Sequence, residues 1–285
     1  MTTTTAASSP RLGPLFVRAA LTARGRRPGP LPGRRVAVDG LAVDRAALAD
    51  YARLCGFPVD DVLPVTYPHL LAFPLQAALM TGRDFPLALP GLVHVRNRIG
   101  WHRPLKADET LDITVWAADL AAHRSGTAVD LHAAVTVGGV PVWESVSTYL
   151  ARGVTAPAGT PEPAAEPDTV APTRTVAVWR LPADTGRRYA AVSGDVNPIH
   201  LTAVSARAFG FRRAIAHGMG TAARVVASLQ GRTPDAGSFD VGFRKPVYLP
   251  STVALATAPR DDGWDVAVSD RGSGTLHLVG TVRAG

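Results

Sequence analysis

One cysteine, Cys55, is all that the 285-residue chain contains. No intrachain disulfide can form, a cysteine-rich metal site is excluded, and a reducing, cytoplasmic setting is expected. No apolar run approaches the ~20 residues needed to cross a bilayer, so stable membrane insertion is not expected. The opening MTTTTAASSP lacks the basic start and greasy stretch of a secretory signal, and residues 1–10 read as a disordered tail. Charge is sparse as well: charged residues make up 19% and hydrophobic residues 46%, a balance that suits a packed globular protein. The net charge of +7 is carried by scattered arginines. With no zinc-finger spacing and no recognition-helix pattern, nucleic acid is not an expected partner. An arginine-rich composition is the plainer account, and an anionic cofactor or an acidic partner protein could benefit from the charge.

What the sequence does have is a duplication. Residues 152–174, RGVTAPAGTPEPAAEPDTVAPTR, are rich in Pro, Ala, Gly and Thr and read as an extended linker. It separates two similar stretches, 11–151 and 175–285. Tyr51-Ala52 opens a helical pattern in the first, as Tyr189-Ala190 does in the second. Each is followed by an apolar helix candidate, from Leu71 and from Gly220. A basic residue with proline then leads into strands, RPLKADETLDITV from Arg103 and KPVYLPSTVALAT from Lys245. Alternating, β-branched runs begin at Leu111, Thr127, Val140, Thr252, Trp264 and Thr275, with Gly and Asp turns between them, which is the pattern of antiparallel sheet. Each half is thus predicted to be α+β, one long helix with a meandering sheet.

The chemistry-bearing stretch is YAAVSGDVNPIH from Tyr189, followed by AFGF and IAHGM. Asp195 and His200 are five apart around Asn197-Pro198. Proline forbids a regular helix there, and Asp and Asn favour turns by bonding to nearby backbone. A short rigid loop can therefore bring a carboxylate and an imidazole to one cleft. His217-Gly218-Met219 opens the second apolar helix, so the Gly218 amide belongs to a helix N-terminus that favours negative charge.

This stretch resembles the hydratase motif of the MaoC-like (R)-specific enoyl-CoA hydratases and 3-hydroxyacyl-thioester dehydratases, over about 30 residues together with FRKPVYLP from Phe243. The two-copy layout resembles the fused, actinobacterial double-hotdog members of that family. The resemblance implies two fused hotdog domains, each a long helix wrapped by an antiparallel sheet. It also implies reversible hydration of trans-2-enoyl thioesters to (3R)-3-hydroxyacyl thioesters in fatty-acid metabolism. Asp195 and His200 match the catalytic pair, and Gly218 matches the glycine whose N–H polarises the thioester carbonyl. Ser193, Asn197 and His217 are supporting residues. The substrate would be carried on coenzyme A or acyl carrier protein, with no metal or further cofactor, and a homodimer is left open.

Aligned on Tyr51-Ala52, the first copy has Phe57 opposite Asp195 and Val62 opposite His200, while Cys55-Gly56 stays opposite Ser193-Gly194. The first copy is therefore expected to be catalytically silent. Two rival readings are a hotdog acyl-thioester hydrolase, since the same groups could direct water at the carbonyl, and a non-catalytic acyl-binding module. The remaining histidines show no metal-ligand spacing, and Arg212-Arg213 reads equally as a phosphate contact or as a solvated pair.

Overall fold

The structure, a computed structural model, describes residues 2–23, 26, 29–163 and 171–285. The chain forms two units, and both are discontinuous in sequence. The first comprises Met1–Val43, Pro68–Asn97 and Ala107–Pro167, and the second comprises Asp44–Tyr67, Arg98–Lys106 and Asp168–Gly285.

The first unit contains β1 (Thr2–Ala6), α1 (Leu12–Thr22), β2 (Arg34–Ala42), α3 (Tyr67–Met80), β4 (Thr110–His123), β5 (Gly126–Val137) and β6 (Val140–Arg152). The strand β3 (Leu92–Trp101) belongs to this unit up to Asn97 and to the second from Arg98. Its strand order is β2-β4-β5-β6-β3, with β1 added in parallel outside β2. The β2–β4, β4–β5 and β5–β6 pairs are antiparallel. Period-two alternation turns Leu111, Ile113 and Val115 of β4 and Leu131, Ala133 and Val135 of β5 inward. The core also takes Ala72, Leu75, Ala77 and Leu79 of α3.

The second unit contains α2 (Arg45–Cys55), β7 (Thr175–Leu181), α4 (Thr185–Ser193), a 3-10 turn at Pro198–His200, and α5 (Ala203–Arg207). After these come α6 (Gly218–Ala227), β8 (Gly237–Phe243), β9 (Ser251–Arg260), β10 (Gly263–Asp270) and β11 (Leu276–Ala284). Its strand order is β7-β9-β10-β11-β8. Strand by strand this repeats the β2-β4-β5-β6-β3 order of the first unit, β2 answering to β7 and β3 to β8, so the duplication read in the sequence is a duplication of sheet topology. Each unit is a hotdog, one buried helix against an antiparallel sheet. In the second, Ala222, Ala223, Val225 and Val226 of α6 join Phe239, Val241, Val266 and Leu278 in the core.

Three expectations are revised. Residues 2–6 are not a disordered tail but a strand, because four β-branched threonines in a row suit an extended edge. The domain limits 11–151 and 175–285 are not the limits of the units. The segment with α2 belongs to the second unit, where Tyr51, Ala52 and Cys55 are buried and α2 packs on α4 and α6. Of the linker 152–174, Arg152 ends β6, and 153–163 and 171–174 form neither helix nor strand. Pro161 nevertheless accepts a hydrogen bond from the Ala122 amide at 2.7 Å, and residues 164–170 lie outside the described residues. No helix among the described residues is long and apolar enough to cross a membrane.

Candidate active site

The loop after α4 is built by short-range bonds that its sequence dictates. Gly194 ends α4 in the left-handed region at φ 71°, a conformation that costs glycine little. The chain therefore reverses immediately before Asp195. Ser193 Oγ donates to the Tyr189 carbonyl at 2.8 Å and accepts from the Asp195 amide at 3.2 Å. Asp195 Oδ1 accepts the Asn197 amide at 3.1 Å, and Asn197 Oδ1 accepts the Ile199 amide at 3.4 Å. Two consecutive Asx turns thus lead into the 3-10 turn, with Pro198 at its start. Ser193 and Asn197 hold the loop's shape.

His200 is buried, and its Nδ1 lies 2.8 Å from the Ile215 carbonyl. A carbonyl can only accept, so Nδ1 carries the proton and Nε2 keeps its lone pair. The Ile215 amide in turn donates to the Ile199 carbonyl at 3.0 Å, tying the segment before α6 to the turn. His217 is also buried. Its Nε2 donates to the Asp195 carbonyl at 3.0 Å, and its ring stacks on His200 with centroids 3.6 Å apart. Asp195, His200 and His217 each bring a carboxylate oxygen or ring nitrogen within 4.8 Å of the others. The loop and the HGM segment, 17 residues apart in sequence, therefore meet.

Gly218 is the first residue of α6, so its amide belongs to the turn whose N–H groups lack helical partners. A β-carbon there would come 3.0–3.1 Å from the Phe243 ring. Close packing thus favours glycine at this position, since any side chain would press on the Phe243 ring, and the FRKP segment supplies the wall. Electrostatics follow from burial. Desolvation raises the Asp195 carboxyl above its usual range, moderated by His200, while burial holds His200 and His217 below the ordinary histidine range. The Asp195 side chain keeps 23% of its exposure, a window to solvent that His217, at 3%, does not have.

The set of Asp195, His200 and His217 would also suit a divalent cation, as would the more exposed Asp119, Asp130 and His132 of the first unit. In the buried set, His200 Nδ1 and His217 Nε2 are already committed to carbonyls, so any cation would be left with the opposite ring nitrogens.

Two residues given no part in the site by the sequence complete the frame. Gly186 of α4 lies against the His200 carbonyl so closely that a β-carbon would fall far inside contact distance. Tyr189 tilts against His217 at 4.8 Å and fills the space over Gly220, whose β-carbon would meet it at 2.9 Å. Both act through space, and only Tyr189 had a signal, its pairing with Tyr51 in the repeat. In the first copy, Phe57 stacks on Tyr51 at 6.1 Å, while Val62 is exposed and bridges to Lys106. Neither position offers a proton-transferring group.

Acidification is expected to weaken the fold. A buried histidine whose folded pKa is depressed contributes stability above about 6.5 that is lost as pH falls toward the folded value. His69 in the first unit is lowered to about 4 and His94 to about 3, with His200 and His217 shifted the same way. Asp195 has the opposite sign, gaining stability at low pH, and works against the four histidines. The urea midpoint should drop between pH 6.5 and 4, and His69→Leu should flatten that slope. A midpoint unchanged over this range would refute the buried, neutral state of these rings.

The MaoC like domain family matches residues 159–267. The 3-hydroxyacyl-thioester dehydratase X of Mycobacterium tuberculosis is 42% identical over 253 residues, covering 89% of this chain and 90% of the relative. The crystal structure of HtdX from Mycobacterium tuberculosis superposes with a TM-score of 0.79 at 39% identity, covering 88% of this chain and all of that one. A MaoC-like dehydratase from Phytophthora capsici, at 18% identity and TM-score 0.72, covers 88% of this chain and 95% of its own and shares the fold.

Proposed function

We infer, from the premise that this chain belongs to the MaoC-like dehydratase family, that it catalyses the reversible hydration and dehydration of acyl thioesters. The (3R) configuration, and a carrier that is coenzyme A or acyl carrier protein, complete the reading. The observation that carries it is the approach of a half-buried carboxylate and a tautomer-fixed imidazole, Asp195 and His200, within 4.8 Å of each other. That separation suits two groups sharing one water or one hydroxyl.

In dehydration, one member of the pair removes the C2 proton and its partner passes a proton to the C3 oxygen. The C3–O bond breaks and water leaves, so the pair's total charge is unchanged. Environments that push the two pKa values in opposite directions suit this division of labour. Charge developing on the thioester oxygen would be met by the Gly218 amide, a donor worth on the order of 2.7–4 kcal/mol in comparable sites. His217 holds the Asp195 backbone and backs the His200 ring, and Ser193 and Asn197 keep the loop. The reading calls for no resident metal or redox group. The lone, buried Cys55 fits a cytoplasmic enzyme.

The test is hydration of crotonyl-CoA. The expected result is loss of the enoyl absorbance with no free thiol. Release of thiol would replace this reading with thioester hydrolysis, and binding without either change would make the chain an acyl-binding module. Within the first copy, Phe57→Ala should cost stability, because it strips a ring from buried Tyr51, and should leave turnover per folded enzyme within about threefold. Abolished turnover in a folded, substrate-binding variant would end the silent-copy reading.

A further inference from the structure

The first unit buries a second polar group that the chemistry above does not use. On α3, His69 and Gln76 are seven residues apart and share one helix face. On β6, Ser145, Ser147 and Tyr149 alternate onto the buried face. Contacts join these elements through β3. His69 stacks on His94 at 5.9 Å, His94 stacks on Tyr149 at 4.6 Å, and Asn97 Nδ2 donates to Ser147 Oγ at 2.9 Å.

Several polar atoms of Gln76, Asn97, Ser145 and His69 lack hydrogen-bond partners among the described residues. Gln76 is completely buried, and among the described residues neither its amide nitrogen nor its amide oxygen finds one. The same holds for Asn97 Oδ1, Ser145 Oγ and His69 Nδ1. Each such atom destabilises the fold while it stays unmatched, because it has lost its water and gained nothing in return. The chain has only two glutamines and two asparagines, so half of its carboxamides are buried in this cluster. Leucine would fill the place of Gln76 without that cost, so the amide points to something that bonds to it.

The surroundings define the chemistry of that occupant. Burial keeps His69 and His94 uncharged at neutral pH. A carboxylate or phosphate would find no cation in the cluster, and the Phe73 and Tyr149 rings offer apolar walls. Buried and unmatched are a carboxamide donor, two carboxamide acceptors and a hydroxyl that does both. We propose that the first unit carries a buried site for an uncharged aliphatic molecule or chain bearing a hydroxyl or keto oxygen, bonded by Gln76, Asn97 and Ser145.

The whole protein, labelled with nitrogen-15 in its four carboxamides, is titrated with 2-hexanone and 1-hexanol, and with 1-chlorohexane and hexanoate for contrast. The signals of Gln76 and Asn97 should move saturably with the ketone and the alcohol. The oxygen-free and charged probes should bind about tenfold more weakly, the worth of one buried hydrogen bond. Gln76→Leu should abolish the preference for oxygen, and the smaller change Ser145→Ala should weaken it should Gln76→Leu misfold. Equal binding of 1-chlorohexane, or carboxamide protons that contact only long-lived water and ignore every probe, overturns the proposal. A second arm identifies the source of the ligand. If the oxygen belongs to an acyl chain, an enoyl thioester with a keto group near its tail has the lower KM, and Gln76→Leu erases the difference. If the ligand is a free molecule, the KM values agree while the signals still move. The titration involves no turnover, so its outcome is independent of whether the proposed reaction occurs.

Discussion

Asp195→Asn is expected to lower crotonyl-CoA hydration by about 10²–10⁴-fold, the range that one positioned acid or base contributes, while the fold is kept. The amide has the carboxylate's shape, and its oxygen can still accept the Asn197 N–H that shapes the turn. What it cannot do is exchange a proton with substrate. Stability should move the other way. Burial raises the Asp195 carboxyl, so the folded state disfavours its ionised form, and that penalty is felt as pH rises through the folded value. A neutral amide avoids it, and the Asp195→Asn protein should melt no lower than wild type near pH 8. His200→Ala should lose a comparable factor in rate but also lose stability, because it removes the ring stacked on His217 and strands the Ile215 carbonyl. Wild-type rates in either variant would refute the assignment of the pair.

Gly186→Ala should be nearly as damaging, although residue 186 bears no functional group. Alanine is ordinarily the better helix former by up to about 1 kcal/mol. Here its methyl would collide with the His200 carbonyl, so α4 or the 3-10 turn must shift. The turn cannot move freely, since the His200 ring is tethered to Ile215 and the Ile199 carbonyl accepts the Ile215 amide. Misplacement by about 1 Å costs on the order of 10²-fold in rate, and overpacking costs typically about 1–3 kcal/mol. Both kcat and the melting temperature should therefore fall. Gly272→Ala, at an exposed turn with only a carboxylate at 3.5 Å, is the control expected to change neither. A Gly186→Ala enzyme as stable and as fast as wild type would show that the turn has room to spare.

How far the sequence could be read follows from how local each feature is. The Asp195 loop was legible because Ser193, Gly194, Asn197 and Pro198 shape it over six residues. Six strands, β4–β6 and β9–β11, announced themselves by alternation, which each carries within itself, whereas β2, β3, β7 and β8 went unread. Gly186 gave no sign, since its constraint is a carbonyl 14 positions away. Nor did Ile215, which contributes only backbone. The unit boundaries were misread for a related reason. Proline marks where the chain runs without helix or strand, but it says nothing of which faces stay apolar. It was the buried Tyr51–Ala52–Cys55 face of α2 that assigned 44–67 to the second unit. Likewise β1 was hidden in a threonine run whose polarity outweighed its β-branching.

The braiding of the two units through the chain has a consequence for inheritance. A gene cut at the proline-rich stretch would yield a C-terminal product without residues 44–67 and 98–106, baring the greasy sides of α4 and α6 to water. The C-terminal piece could not be passed on as a free-standing module. The loan runs one way, since no stretch after the proline-rich segment belongs to the first unit, and recombination at that segment would leave the second unit incomplete.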